Sequence, residues 1–204
     1  MRFLRSRNEV GIVHQKKHLL LVLFILLLSA CSKDVKDPLN YKLNSFSYMD
    51  QNEENYGLTD LKGKVWIADF IFTSCETVCP PMTAHMSKLQ QEVKKQGLKN
   101  VEFISFSVDP QKDSPQALKA YVNKFNGDLS NWHLLTGYTQ KEIKSFAMKN
   151  FKVFVQKPKD TDQIIHGTSF FLINQEGIVK KNYNGVSDVP YTQIIKDIKI
   201  VQDN

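Results

Sequence analysis

Two cysteines with three residues between them, Cys75 and Cys79, are the residues of this chain best suited to chemistry; they lie in the run T-S-C-E-T-V-C-P-P-M of residues 73–82. The thiolate, rather than the thiol, is the nucleophile and the soft-metal ligand. A helix N-terminus favours it, because unpaired N–H groups and a partial positive charge stabilise the anion. Pro80-Pro81, followed by Met82, Met86, Leu89 and Val93 at helical spacing, puts Cys79 at the mouth of a helix. With three intervening residues the sulfurs can meet around a turn as a disulfide, or splay to hold one soft ion from the same side. Redox chemistry, metal binding and a plain structural disulfide are all compatible with the spacing. Structural disulfides more often close longer loops between separate elements.

The elements that must position this pair are legible around it. Residues 65–72 (V-W-I-A-D-F-I-F) are apolar and rich in β-branched and aromatic side chains, broken by Asp69, and predict a strand buried on both faces. A helix is expected over residues 80–96, stopped by Gly97, and a second strand over 101–108. Ser114-Pro115 opens a helix to about residue 125; residues 132–135 read as a short strand, and Thr139 to Glu142 as the start of a helix to about residue 149. Residues 151–166 mix a strand-like F-K-V-F-V with a polar loop; 168–174 and 178–183 form a hairpin, and a closing helix runs over about 190–201. Ahead of the core, residues 45–56 predict a hairpin, and residues 58–64 a helical turn closed by Gly63. Strands alternating with helices predict an α/β sandwich, with the cysteines at the carboxyl end of a central strand.

At 204 residues the chain suits one domain with appendages. The formal charge of +6 is concentrated at the start: residues 1–30 hold five Lys and Arg and one acid, leaving 22 basic against 20 acidic residues. That balance predicts no nucleic-acid partner. Arg2, Arg5, Arg7, Lys16 and Lys17 precede an apolar run over residues 19–28 that is short for a membrane span, and L-S-A-C follows, ending at Cys31. This layout reads as an export signal over residues 1–30 with lipid attachment at Cys31, a linker over 31–44, and a folded domain over 45–204. It places the domain on the extracytoplasmic face of the cell membrane, lipid-anchored. With Cys31 spent on the anchor, Cys75 and Cys79 form the one remaining pair, and no disulfide framework exists.

A copper ion held by two thiols would gain from a third, neutral ligand, and His166 stands just ahead of the strand that begins near Thr168. Alone, such a histidine reads as a surface or capping residue. Of the others, His14 and His18 fall in the signal, His85 lies one turn into a helix, and His133 follows Trp132; Met82 and Met86 are soft donors whose spacing fits the core better. The three stretches G-K-V-W-I-A-D-F-I-F-T-S-C-E-T-V-C-P-P-M, F-S-V-D-P-Q-K-D-S-P and I-I-H-G-T-S-F-F-L together closely resemble the Sco family, in the lipoprotein form of Gram-positive bacilli, over residue 40 to the end. That resemblance implies a thioredoxin-like fold with a central mixed sheet, and a membrane-tethered copper protein that delivers Cu(I) or Cu(II) to cytochrome c oxidase, with the oxidase's copper-site subunit as partner. It implies Cys75, Cys79 and His166 as the copper ligands and a monomer. One departure is Ile165, where many members carry an acid before the histidine, which leaves Asp162 or another group to orient His166.

Metallochaperone action is the leading expectation, with Cys75 and Cys79 as a thiol–disulfide redox pair acting on a partner protein as the alternative. A reductase has no need of His166, and ordinary thioredoxins have two residues between the cysteines and a proline before the strand that here starts near Thr168. Peroxide reduction is disfavoured, since all three arginines precede residue 8.

Overall fold

The computed structural model describes residues 34–203 apart from Asp160; the signal sequence, Cys31, His14 and His18 lie outside the described residues. The sheet that carries the site has six strands in the order β1 (Tyr41–Lys42), β8 (Ile178–Asn184), β7 (Ser169–Ile173), β4 (Val65–Ile71), β5 (Val101–Ser107) and β6 (Trp132–Leu135). Its centre is β4 (Val65–Ile71), all seven residues of which are buried. The continuous apolar run predicted this, because a strand paired on both edges and covered on both faces has nowhere to place a solvated side chain. β5 (Val101–Ser107) pairs with it in parallel, and β6 (Trp132–Leu135) with β5. On the other edge β7 (Ser169–Ile173) runs antiparallel to β4, followed by β8 (Ile178–Asn184) and β1 (Tyr41–Lys42). A separate hairpin is formed by β2 (Ser47–Met49) and β3 (Asn55–Gly57).

Alternation along β4 divides its side chains between two layers. Trp66 and Phe70 join Phe46 of the hairpin region, Phe106 of β5, Phe146 and Phe151 in an aromatic layer, with ring centroids 4.9–6.5 Å apart. Offset and edge-on rings of this kind add to the area they bury. On the other side α1 (Cys79–Lys95) packs against β5 and against α4 (Tyr191–Gln202), which also covers β4. α2 (Pro115–Asn123) is capped by Ser114, whose side chain accepts the Ala117 N–H, and packs on β6. α3 (Gln140–Phe146) opens on the reciprocal Thr139 and Glu142 capping box. Two departures from the sequence expectation stand out. The helix expected to reach residue 149 changes to a π-helical turn (Ala147–Phe151), which brings Phe151 into the aromatic layer. And part of the expected linker belongs to the body: Val35 and Leu43 are buried and Tyr41–Lys42 supply an edge strand, a two-residue pairing too short for a periodic pattern to reveal.

Candidate metal centre

The centre forms where β4 ends and the chain turns through residues 72–78 into α1. Asp113, a buried carboxylate from the loop after β5, fastens the start of that turn: it accepts Thr73 Oγ1 at 2.6 Å, the Thr73 N–H at 3.2 Å and Ser107 Oγ at 2.6 Å. Cys75 is 6% exposed, and Cys79, the first residue of α1, is fully buried. The Cys79 N–H donates to Cys75 Sγ at 3.3 Å, and Thr83 Oγ1, one turn on, donates to the Cys79 carbonyl. His166 enters from the segment leading to β7, with Nε2 3.3 Å from Cys79 Sγ and its ring edge-on to Phe72. Both sulfurs and a ring nitrogen of His166 lie within 4.8 Å of one another, and among the described residues this is the one such cluster of metal-ligating side chains.

Proton positions follow from the partners. His166 Nδ1 lies 2.8 Å from the Gly167 carbonyl oxygen. A carbonyl only accepts, so Nδ1 carries the hydrogen, and in the neutral ring Nε2 turns its lone pair towards Cys79. The hydrogen bond from Cys79 holds the Cys75 thiol well below the usual thiol range; His166 and the Cys79 and Thr77 N–H groups add to this, against burial. Cys79 is pushed up instead, by the sulfur of Cys75, by burial and by neighbouring negative charge. The sequence had placed Cys79 at the helix mouth that favours a thiolate. In the fold Cys75 is the first of the two to ionise, because two adjacent buried thiols cannot both ionise cheaply and Cys75 receives the N–H groups of Cys79 and Thr77, against the Phe72 N–H on Cys79. Both are free thiols, set to act as ligands or as a disulfide. Two soft sulfur donors and an imidazole lone pair converging on one point form a donor set that fits a single copper ion in either oxidation state.

Beneath the site lies a carboxyl group that sequence reasoning recorded only as an interruption. Asp69 is fully buried; Ser105 Oγ donates to its Oδ1 at 2.6 Å while accepting from Trp132 Nε1 at 2.9 Å, and Oδ2 has no hydrogen-bond partner among the described residues. Burial raises its pKa to about 7, against the Ser105 hydrogen bond and the attraction of His166. The same carboxylate contributes to raising Cys79. A lone acid six residues before Cys75 in an otherwise apolar strand was the available signal.

The loop carrying His166 is fixed at several points. Gln156 and Ile165 exchange backbone hydrogen bonds of 2.9 Å, which draw the two ends of this loop together into a lobe. Lys157 pairs with buried Asp109 at 2.9 Å and Lys112 with Asp162 at 2.7 Å, joining the lobe to the loop after β5. The side chain of Gln163 reaches the cysteine turn, donating to Ser74 O at 3.0 Å. Asp162 is therefore not the group that orients His166: it faces Lys112, and the Gly167 carbonyl takes the Nδ1 hydrogen.

The remaining candidates lie elsewhere. His85 joins α1 to the region of α4 through Tyr191 Oη at 2.5 Å and Val186 O at 3.1 Å. His133 stacks on Tyr56 at 3.6 Å and faces Asp50. Met82 and Met86 are buried in the core, as their spacing predicted. Among the described residues no helix is long and apolar enough to cross a membrane.

Comparison with known proteins bears on the family and the fold. The chain is 50% identical over 178 residues to the SCO1 protein homolog of Bacillus subtilis, covering 87% of this chain and 92% of that one. The crystal structure of a SCO1/SenC family lipoprotein from Bacillus anthracis superimposes with a TM-score of 0.79 at 52% identity, over 82% of this chain and 98% of that one. BsSco, described as a member of the Sco family of cytochrome c oxidase assembly proteins with a disulfide switch, gives 0.77 at 49% identity, over 83% and 98%. Sco proteins solved with copper bound share the fold at 23 and 24% identity. The thioredoxin-like fold expected of the sequence is thus the fold observed, and because the SCO1/SenC family model also matches residues 36–202, this chain belongs to the SCO1/SenC family.

Proposed function

We propose that this protein binds copper through Cys75 Sγ, Cys79 Sγ and His166 Nε2, and delivers it to, or prepares, the copper centre of cytochrome c oxidase. The carrying observation is the convergence of these three donors within 4.8 Å from a turn and a loop 87 residues apart, Cys79 to His166. Family membership supports copper and oxidase assembly as the setting, and the copper-site subunit of the oxidase is the proposed recipient. The export signal, Cys31 in L-S-A-C and the lipoprotein relative support an anchor on the extracytoplasmic face of the cell membrane. Copper is cargo. Cys75 meets it as a thiolate, Cys79 gives up its proton on ligation, and the Nδ1–H of His166 stays on Gly167 O, so the ring is oriented before metal arrives.

A sulfur engaged in a disulfide cannot ligate as thiolate, so copper titration of the reduced and oxidised protein tests the reading. The reduced protein should bind one copper per chain, and oxidation should abolish binding until reduction restores it. Equal binding by both forms would place the ligands elsewhere.

The alternative, a thiol–disulfide oxidoreductase acting on cysteines of a partner protein, is favoured by one observation: the pair is polarised, a thiolate at Cys75 beside a thiol at Cys79. That activity would persist without His166.

A further inference from the structure

We infer that Gln163 is a positioning residue of the metal centre, its side-chain amide docking the His166 lobe onto the peptide groups either side of Cys75. Gln163 Nε2 donates to Ser74 O at 3.0 Å, and Gln163 Oε1 accepts the Glu76 N–H at a long 3.5 Å. One planar amide therefore brackets Cys75, as a strand neighbour would, although no strand is present. Among the described residues these are the hydrogen bonds that join the lobe to the cysteine turn, apart from the His166 contact with Cys79 itself. Gln163 is three residues from His166 within a lobe closed by the Gln156 and Ile165 exchange, so a shift of Gln163 is carried to the imidazole. The Lys157 and Lys112 ion pairs tie the lobe to the cysteine turn indirectly, through the loop whose Asp113 accepts from Thr73, whereas Gln163 bonds to the turn directly on both sides of Cys75.

An ordinary half-buried glutamine would meet its hydrogen-bonding needs and nothing more. Here the partners decide against that: backbone groups adjoining one ligand, approached from the loop that carries another. Ligand sets are oriented by such supporting hydrogen bonds, and their loss typically costs about 10- to 100-fold in metal affinity. The inference rests on the reading of Cys75, Cys79 and His166 as copper ligands.

The test is Cu(II) binding and the thiolate-to-Cu(II) absorption of the reduced full chain carrying Gln163→Ala, His166→Ala, or both, beside its thermal unfolding. Gln163→Ala should weaken Cu(II) binding on the order of tenfold and shift the absorption, with the unfolding midpoint unchanged. In the His166→Ala protein the same change should cost less than about twofold, since no imidazole remains to be positioned. Gln163→Glu keeps the length and the oxygen facing Glu76 but sets a carboxylate oxygen against Ser74 O, and should be as impaired as Gln163→Ala. In the metal-free protein, both Gln163 variants should shift the ring-nitrogen resonances of His166. If His166→Ala alters Cu(II) binding while the Gln163 variants do not, the positioning role falls and the ligand reading stands. If His166→Ala leaves Cu(II) binding intact, both fall together. An equal loss from Gln163→Ala in both backgrounds, or a loss that only follows falling stability, also overturns the positioning role.

Discussion

The backbone N–H of Cys79 points at the sulfur of Cys75 from 3.3 Å, so the residue that opens the helix serves its partner's thiolate while keeping its own proton. A division within the pair follows: Cys75 is the thiolate, and Cys79 ionises when something replaces its proton.

Replacing Cys79 by Ala removes the side-chain hydrogen bond that contributes most to lowering Cys75, while the backbone donors remain. The pH midpoint for alkylation of Cys75 should therefore move up towards the ordinary thiol value near 8.5. Alkylation rate against pH, with the modified residue identified by mass spectrometry, measures this; an unmoved midpoint would show that the two thiols are not coupled.

His166→Ala leaves two sulfurs, which still satisfy Cu(I) in near-linear geometry, whereas Cu(II) prefers more ligands and takes nitrogen readily. Cu(II) affinity should fall by roughly 10-fold or more and the thiolate-to-Cu(II) absorption change, with Cu(I) binding affected far less. Cytochrome c oxidase assembly should fail while dithiol oxidation continues. Wild-type Cu(II) spectra with normal oxidase activity would leave the thiol reductase as the surviving reading.

Asp69 stays protonated in the folded state up to a pKa of about 7, against 3.8 for an ordinary aspartate. Its folded pKa is raised, so its contribution to stability is fully present below about pH 4 and is lost as pH rises to about 7. Asp69→Asn does not titrate. The stability of the variant minus that of the wild type should rise between those limits and level off above them, as read from urea unfolding at a series of pH values. A difference independent of pH would mean that Asp69 titrates normally.

Core substitutions should separate packing from chemistry. Met82→Leu conserves volume at a buried position and should cost less than about 1.5 kcal/mol, with the copper spectrum unaltered. Phe106→Ala opens the aromatic layer and should cost about 3–5 kcal/mol. Denaturant unfolding gives both; a Met82→Leu spectrum that differs from wild type would give the thioether a place near the metal.

Cys31→Ser should yield protein that carries no lipid and leaves the membrane fraction. Lipid labelling and fractionation provide the check, and a variant still labelled and membrane-bound would place the anchor elsewhere.

Much of the fold was legible in the sequence because it rests on local pattern: the unbroken apolar run of β4, the proline-led α1, and the Thr139 and Glu142 capping box each dictate their own element. The C-x-x-x-C-P spacing and a lone histidine before a strand likewise marked the three candidate ligands. What the tertiary structure decided is what depends on groups distant in the chain. Which cysteine is the thiolate turns on where N–H donors collect, and that takes the turn in three dimensions. That Gly167 rather than Asp162 holds His166, and that Lys112 takes Asp162, depends on the meeting of two loops separated by some fifty residues. Tyr41–Lys42 become a strand because β8 offers a free edge, and Asp69 bears on the site because Ser105 and Trp132 bury it there. Local pattern sets which residues face inward; the packing of separate elements sets which of them meet, and with that the protonation and orientation of the candidate ligands.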